Sequence, residues 1–226
     1  MIPPLTAIAE QATVRLISTA YFKPPVLRPL IDTPEEFELL AEIEGLTNRR
    51  LRAETVGAGS LDPRETVFRA WGHTYINAAF AYTRAEGNRF NAGDRGAWYC
   101  AFDEMTSIAE VGYHRTRELT RIGRFEDEGI YQSLLAGFIG DFHDLRKLPG
   151  PLECLGTDPA AAYPAGQKLA RALRQDGSRG LIYPSARRHR GVCLVAFEPH
   201  SVQNVRPGAR WKLVWNGSPR YTVTTD

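Results

Sequence analysis

The sequence predicts a mixed α+β fold, and three observations predict it. Strand-like runs crowd the C-terminal part, as GLIYP at 180–184, GVCLVAF at 191–197, WKLVW at 211–215 and RYTVT at 220–224. Helical stretches precede them but never alternate with strands in the regular way that marks a doubly wound parallel sheet. The length, 226 residues, suits one generous domain or a core domain with an appended element.

Residues 1–32 carry Pro3, Pro4, Pro24, Pro25 and Pro29 and read as an extended arm. A helix is expected next, with Thr33 as N-cap, Pro34 at the first helical position and Glu36 three residues after the cap. Its apolar stripe is Phe37, Leu39, Leu40, Ile43 and Leu46, and Gly57, Gly59 and Asp62–Pro63 close the segment. The division is therefore an N-terminal arm and helical extension over 1–62 and a longer mixed part over 63–226. In the second part TVFRAW and AWYCAF read as strands. DEMTSIAEVGYHRTREL reads as a helix capped by Asp103 or Thr106. Two more helices are expected, roughly from Gly129 to Leu145 and from Ala165 to Leu173.

Composition excludes more than it selects. With 28 Lys and Arg against 26 Asp and Glu the formal charge is +2, too small for a strong long-range field toward nucleic acid or membrane. Cys100, Cys154 and Cys193 are far apart and form no CxxC pair, so neither a zinc site nor a disulfide framework is indicated, and a reducing compartment is the natural reading. No signal-like or bilayer-length apolar run is evident, and a cytoplasmic location is expected. GAGSLD at 57–62 lacks the third glycine of a dinucleotide fingerprint, and GxxxxGK[ST] and GxSxG are both missing. Asp141, His143 and Asp144 cluster on what reads as a helix, where neighbouring positions point apart, so no metal site is expected.

A polar set in apolar surroundings stands out. Arg69 lies in one strand-like run, Tyr99 in another, and Glu110 among Ile108, Ala109 and Val111. Charges seldom enter cores unpaired, because desolvation costs several kcal/mol per ion. Residue type and spacing leave two readings open for each. Arg69 points outward from an edge strand or into a site, Tyr99 fills the core or faces a ligand, and Glu110 sits on the wet side of its helix or in a pocket.

In order and context these residues resemble the RES-domain family. The stretches that carry the resemblance are FRAW, NRFN, AWYCAFDEMTSIAEVGYH and YPSARRHRGVCLVAF, within roughly 66–215. Arg69, Arg89 with Asn91, Tyr99, Glu110 and Ser185 match the family's arginine, "GRWN"-like element, tyrosine, glutamate and "YPS" serine in order. Four departures from the usual pattern stand out: Gly87–Asn88 replace the glycines before the second arginine, Phe90 replaces tryptophan, Ala70 an aromatic, and Cys193 an asparagine.

The resemblance implies an ADP-ribosyltransferase-like fold, with mixed sheets around a cleft for NAD⁺. It implies a toxin of a bacterial toxin–antitoxin pair, a cognate Xre-type antitoxin, and NAD⁺ as substrate without a metal. The expected reaction is cleavage of the nicotinamide–ribose bond, with ADP-ribose passed to a protein such as a metabolic enzyme, or to water or phosphate. Nucleic acid would be met only through the antitoxin, and no membrane is involved. In this scheme Glu110 stabilises the oxocarbenium-like state. Arg69 and Arg89, with Asn91, grip the pyrophosphate or ribose. Tyr99 stacks on nicotinamide, and Ser185 positions Glu110 or a ribose hydroxyl rather than acting as nucleophile, since no histidine is evident as its base.

Two rivals remain. Arg49–Arg50 with Arg52, and Arg187–Arg188–His189–Arg190, could serve a nucleic-acid-binding regulator. A RES-like domain that binds partners without activity is the other.

Overall fold

The structure, a computed structural model, describes residues 2–19 and 62–226. The helix expected from Thr33 lies outside the described residues. Seven strands and three α-helices form the described part, in the order β1 (Leu5–Ser18), α1 (His73–Ala81), β2 (Trp98–Ala101), α2 (Glu104–Ile122), β3 (Glu126–Asp144), α3 (Pro159–Gln175), β4 (Gly180–Pro184), β5 (Val192–Ala196), β6 (Gln203–Asn216) and β7 (Tyr221–Thr225). The class is α+β, as the sequence predicts. The pairing β3–β4 is parallel and the rest are antiparallel.

Strand order is β1-β2-β5-β4-β3-β6-β7, and β1 also pairs with β3 along its length. The pairings therefore close on themselves through β1, β2, β5, β4 and β3, while β6 and β7 extend from the other end of β3. The segment read as an arm is thus the strand that closes the ring. Its Val14 faces Ala101 of β2 on one side and Leu135 of β3 on the other.

β3 corrects the helix expected from Gly129 to Leu145. Leu134, Ala136, Phe138 and Phe142 are wholly buried on it, and its edges are taken by β1 on one side and by β6 and then β4 on the other. A strand covered this thoroughly loses strict alternation and reads like a buried helix. Gly129, Gly137 and Gly140 add to the preference against helix.

TVFRAW is a second correction, because 66–72 is irregular chain. Val67 finds its hydrogen bonds on the Asn77 side chain, donating to Oδ1 at 3.0 Å and accepting from Nδ2 at 2.9 Å. An amide of α1 thus does what a neighbouring strand would do, and no strand partner is needed. The backbone then turns at Arg69, whose φ is 59°.

The remaining helices follow local rules. Asp103 caps α2, accepting from Thr106 N at 2.9 Å, and Gly123 at φ 74° ends it. Asp158 caps α3 with Pro159 at the first helical position, so this helix starts earlier than expected. Gly166 lets α3 sit against the Arg89–Phe90 turn, since a Cβ there would fall 2.2 Å from Arg89 O. One apolar cluster, with Trp98, Phe138 and Leu194, fills the space under α1, and another, with Ala101, Val195 and Leu173, lies under α3. α2 covers a third, with Leu213 and Trp215 of β6. Among the described residues no helix is long and apolar enough to cross a membrane.

Candidate active site

α2, β2 and the turn after β4 meet at a solvent-open cleft of about 250 Å³. Ser107, Glu110, Val111 and His114 line it from α2, at the i, i+3, i+4 and i+7 spacing that puts side chains on one helix face. Tyr99 comes from β2, Tyr183 and Cys193 from the paired β4 and β5, and Arg89 and Asn88 from the turn before β2.

Glu110 is the carboxylate of the cleft. Its Oε1 accepts from Ser185 Oγ at 2.6 Å, a short charge-assisted bond, and the Cys193 thiol lies 3.9 Å away. Ser185 Oγ in turn accepts from the backbone N–H of Arg187 at 3.0 Å and of Arg188 at 3.1 Å. The hydroxyl's proton is therefore committed to Glu110, and the serine acts as a bracket for the carboxylate. Arg188 reaches back to α2, with Nη1 3.0 Å from Asp103 Oδ1, and ties this turn to the helix start. Burial first, then the nearby charge of Glu110, pushes the Cys193 thiol well above its ordinary value, and burial pushes Cys100 up to about 12. Both thiols stay neutral and unreactive.

The turn with Arg89 is built around Asn91. Its amide donates to Arg95 O at 2.8 Å and to Thr83 Oγ1 at 2.9 Å, and its Oδ1 accepts from Tyr99 OH at 2.9 Å. Tyr99 OH also accepts from Phe90 N at 2.9 Å, and burial raises this phenol well above its usual range. Tyr99 thus presents a ring to the cleft while its hydroxyl holds the turn. Arg89 donates from Nη1 to Cys154 O at 2.6 Å and Gly156 O at 3.0 Å and lies over the Tyr163 ring, 5.5 Å from its centroid.

Two cations of the cleft have other origins. Arg15 comes in from β1, donates to Tyr99 O at 3.1 Å and stacks on Trp98 at 5.0 Å. Arg187 stacks 3.4 Å from the Tyr113 ring centroid and donates to Thr157 O at 3.0 Å. The lining carries Arg15, Arg89 and Arg187 against the single carboxylate of Glu110. Such a wall favours an anionic ligand, and the aromatic rings offer stacking surfaces beside it.

The chain matches the family model of the RES domain over residues 66–216. This chain belongs to the RES-domain family. It is 28% identical over 206 residues to the uncharacterized protein y4oC of Sinorhizobium fredii (strain NBRC 101917 / NGR234), covering 90% of this chain and 83% of that protein. Among solved structures it resembles a chain of the M. tuberculosis MbcT–MbcA toxin–antitoxin complex, with a TM-score of 0.47 and 12% identity, over 90% of this chain and 86% of that one.

Of the residues expected from sequence, the RES domain brings Tyr99, Glu110 and Arg89 to the cleft wall and Ser185 directly behind Glu110. Asn91 stands behind Tyr99 as a positioning residue. Arg69 is not brought there. It is exposed at its turn and is not among the lining residues. Arg15 was missed, although its setting in ATVRLI is as apolar as that of Arg69 in TVFRAW. The surrounding prolines concealed it by marking the segment as an arm. The basic run 187–190 divides its work, with Arg187 in the cleft and Arg188 bracing α2, while Arg49, Arg50 and Arg52 lie outside the described residues. Among the described residues no group of three His, Cys, Asp or Glu is placed to hold a metal. His143 bonds Ser178 at 2.8 Å, and Asp144 holds Arg146 at 2.8 Å.

Proposed function

We propose that this RES domain cleaves NAD⁺ at the nicotinamide–ribose bond and acts as the toxin of a toxin–antitoxin pair, held in check by a cognate Xre-type antitoxin. The observation that carries the reading is the Glu110 carboxylate, bracketed by Ser185 in a cleft that is otherwise cationic and aromatic. In the reaction the C1′–N bond breaks and its electron pair leaves with neutral nicotinamide. The ribose passes through an oxocarbenium-like state, and a nucleophile then bonds C1′ and gives up its proton. Glu110 stabilises the developing positive charge and orients the nucleophile through a ribose hydroxyl. Arg15 and Arg89 hold the pyrophosphate, taking the role expected of Arg69. Tyr99 and Tyr163 offer ring faces to the planar groups.

Mixing the purified chain with NAD⁺ labelled in the adenylate half, with and without lysate, tests the reading. Release of nicotinamide by the parent and not by a folded Glu110→Gln variant supports it. Label entering protein identifies a transferase, and free ADP-ribose or its phosphorylated form identifies water or phosphate as acceptor. No nicotinamide release under any condition overturns it. For the antitoxin, growth arrest on expression that a co-expressed Xre-type partner relieves is the expected result.

A further inference from the structure

His114 sits one helical turn after Glu110 and lines the same cleft, but the reading above gives it no task. Its only ring contact among the described residues is with Tyr113, edge-on at 5.5 Å, and no hydrogen bond holds either of its nitrogens there. An imidazole that lines a cleft and that no hydrogen bond engages among the described residues is available to a ligand. Around it stand Arg84 from the chain after α1, Arg187 from the turn after β4, and Arg117 and Glu118 from its own helix. Glu118 is already engaged by Arg84 at 2.6 Å and Arg115 at 3.3 Å. Beyond the Arg84–Glu118 pair, Arg187 and Arg117 leave positive charge in excess around the ring, and burial with these charges keeps it neutral.

We propose that His114 contacts a phosphate of the dinucleotide together with Arg187, and that it takes up a proton as the ligand binds. The proposal rests on the reading of the cleft as an NAD⁺ site. Burial, with the arginines adding to it, lowers the imidazole to about 4, so the ring is neutral at working pH. A diphosphate entering beside it reverses the local field, because an opposite charge within ~4–6 Å favours the charged form. The ring then becomes a cationic donor where a neutral one stood. By linkage, a ligand that raises this pKa must bind more tightly as the pH falls.

ADP-ribose is the probe, since its phosphates stay fully ionised over the range used. Calorimetry at pH 5.5, in two buffers of different ionisation enthalpy, reads the proton directly. The parent is expected to take up a substantial fraction of a proton, and to bind several-fold more tightly at pH 5.5 than at pH 7.5. His114→Gln, checked for folding by its melting curve, is expected to lose the proton uptake and most of the pH dependence. The histidine C2–H titration of the parent by NMR, with and without ADP-ribose, gives a second measurement that needs no variant. The resonance of His114 is expected to titrate at higher pH in the complex. Binding with no proton uptake and an unmoved titration overturns the role of His114 and leaves the NAD⁺ reading standing. No binding of ADP-ribose at either pH overturns both.

Discussion

Arg15 and Arg69 occupy near-identical settings in the sequence, each a lone arginine in a run of apolar and β-prone residues. In the structure one is half-buried in the wall of the cleft and the other is exposed on a turn. The difference is the partner available to the backbone. β1 finds β2 and β3 on its two edges, and the pleat carries Arg15 inward against Trp98 and Tyr99. The run around Arg69 finds the Asn77 side chain, and its ladder stops after Val67. An apolar run says that a strand is possible, and only an unpaired neighbouring edge makes it one.

The harshest way to break the comparison is to delete the first 61 residues. That removes β1, exposes the edges of β2 and β3, and takes Arg15 away, so the expected product is insoluble or lacks a cooperative melting transition. A soluble, NAD⁺-cleaving fragment would show that β1 is dispensable and Arg15 with it. Next in size is Glu110→Gln, which keeps volume and the Ser185 contact but removes charge. Steady-state NAD⁺ consumption should fall by about 10²–10³, the scale of losing one transition-state electrostatic partner. Turnover near that of the parent would remove Glu110 from its role.

The two arginines then test each other. Arg15→Gln should weaken NAD⁺ binding about tenfold or more, by loss of a charged hydrogen-bond donor worth roughly 1.5–3 kcal/mol. Arg69→Ala should leave binding unchanged and shift stability by no more than ~0.5 kcal/mol. The opposite ranking in a calorimetric titration would restore Arg69 to the site. A separate effect concerns acid stability. His114 is neutral in the fold, lowered to about 4 by burial and its arginine neighbours, and it takes up its proton near 6.5 when unfolded. The unfolded chain therefore binds more protons, and stability falls as pH drops through that window. Chemical denaturation at pH 7 and pH 4.5 should show about 2 kcal/mol less loss in His114→Gln than in the parent. Tyr99→Phe frees Asn91 Oδ1 and Phe90 N and should cost ~1–2 kcal/mol in chemical denaturation, more than Arg69→Ala.

Much of this was legible in the residues. The capped helix from Asp103, the strand AWYCAF and the C-terminal strand runs follow from local propensity and pattern, and those signals survive because they depend on neighbours within a few residues. Glu110 and Ser185 could be named because their sequence contexts resemble the RES-domain family. Of the two roles the resemblance implies for Ser185, positioning Glu110 or a ribose hydroxyl, the geometry shows its hydroxyl donating to Glu110 at 2.6 Å. β3 could not be read, because its buried middle, Tyr131–Phe138, carries little alternation to distinguish it from a buried helix. α1 escaped too, since Gly72 before it offers no side-chain cap.

By itself the sequence determined the α+β class, the helix that presents Glu110 and the turn that holds it, all set by contacts close along the chain. Tertiary structure alone decided that residues 5–18 close the sheet, that Arg15 and Arg187 enter the cleft, and that Arg69 does not. The physical reason is that burial of an arginine is decided by which edge its strand joins, and that edge lies more than eighty positions away in sequence, where Tyr99 O accepts from Arg15.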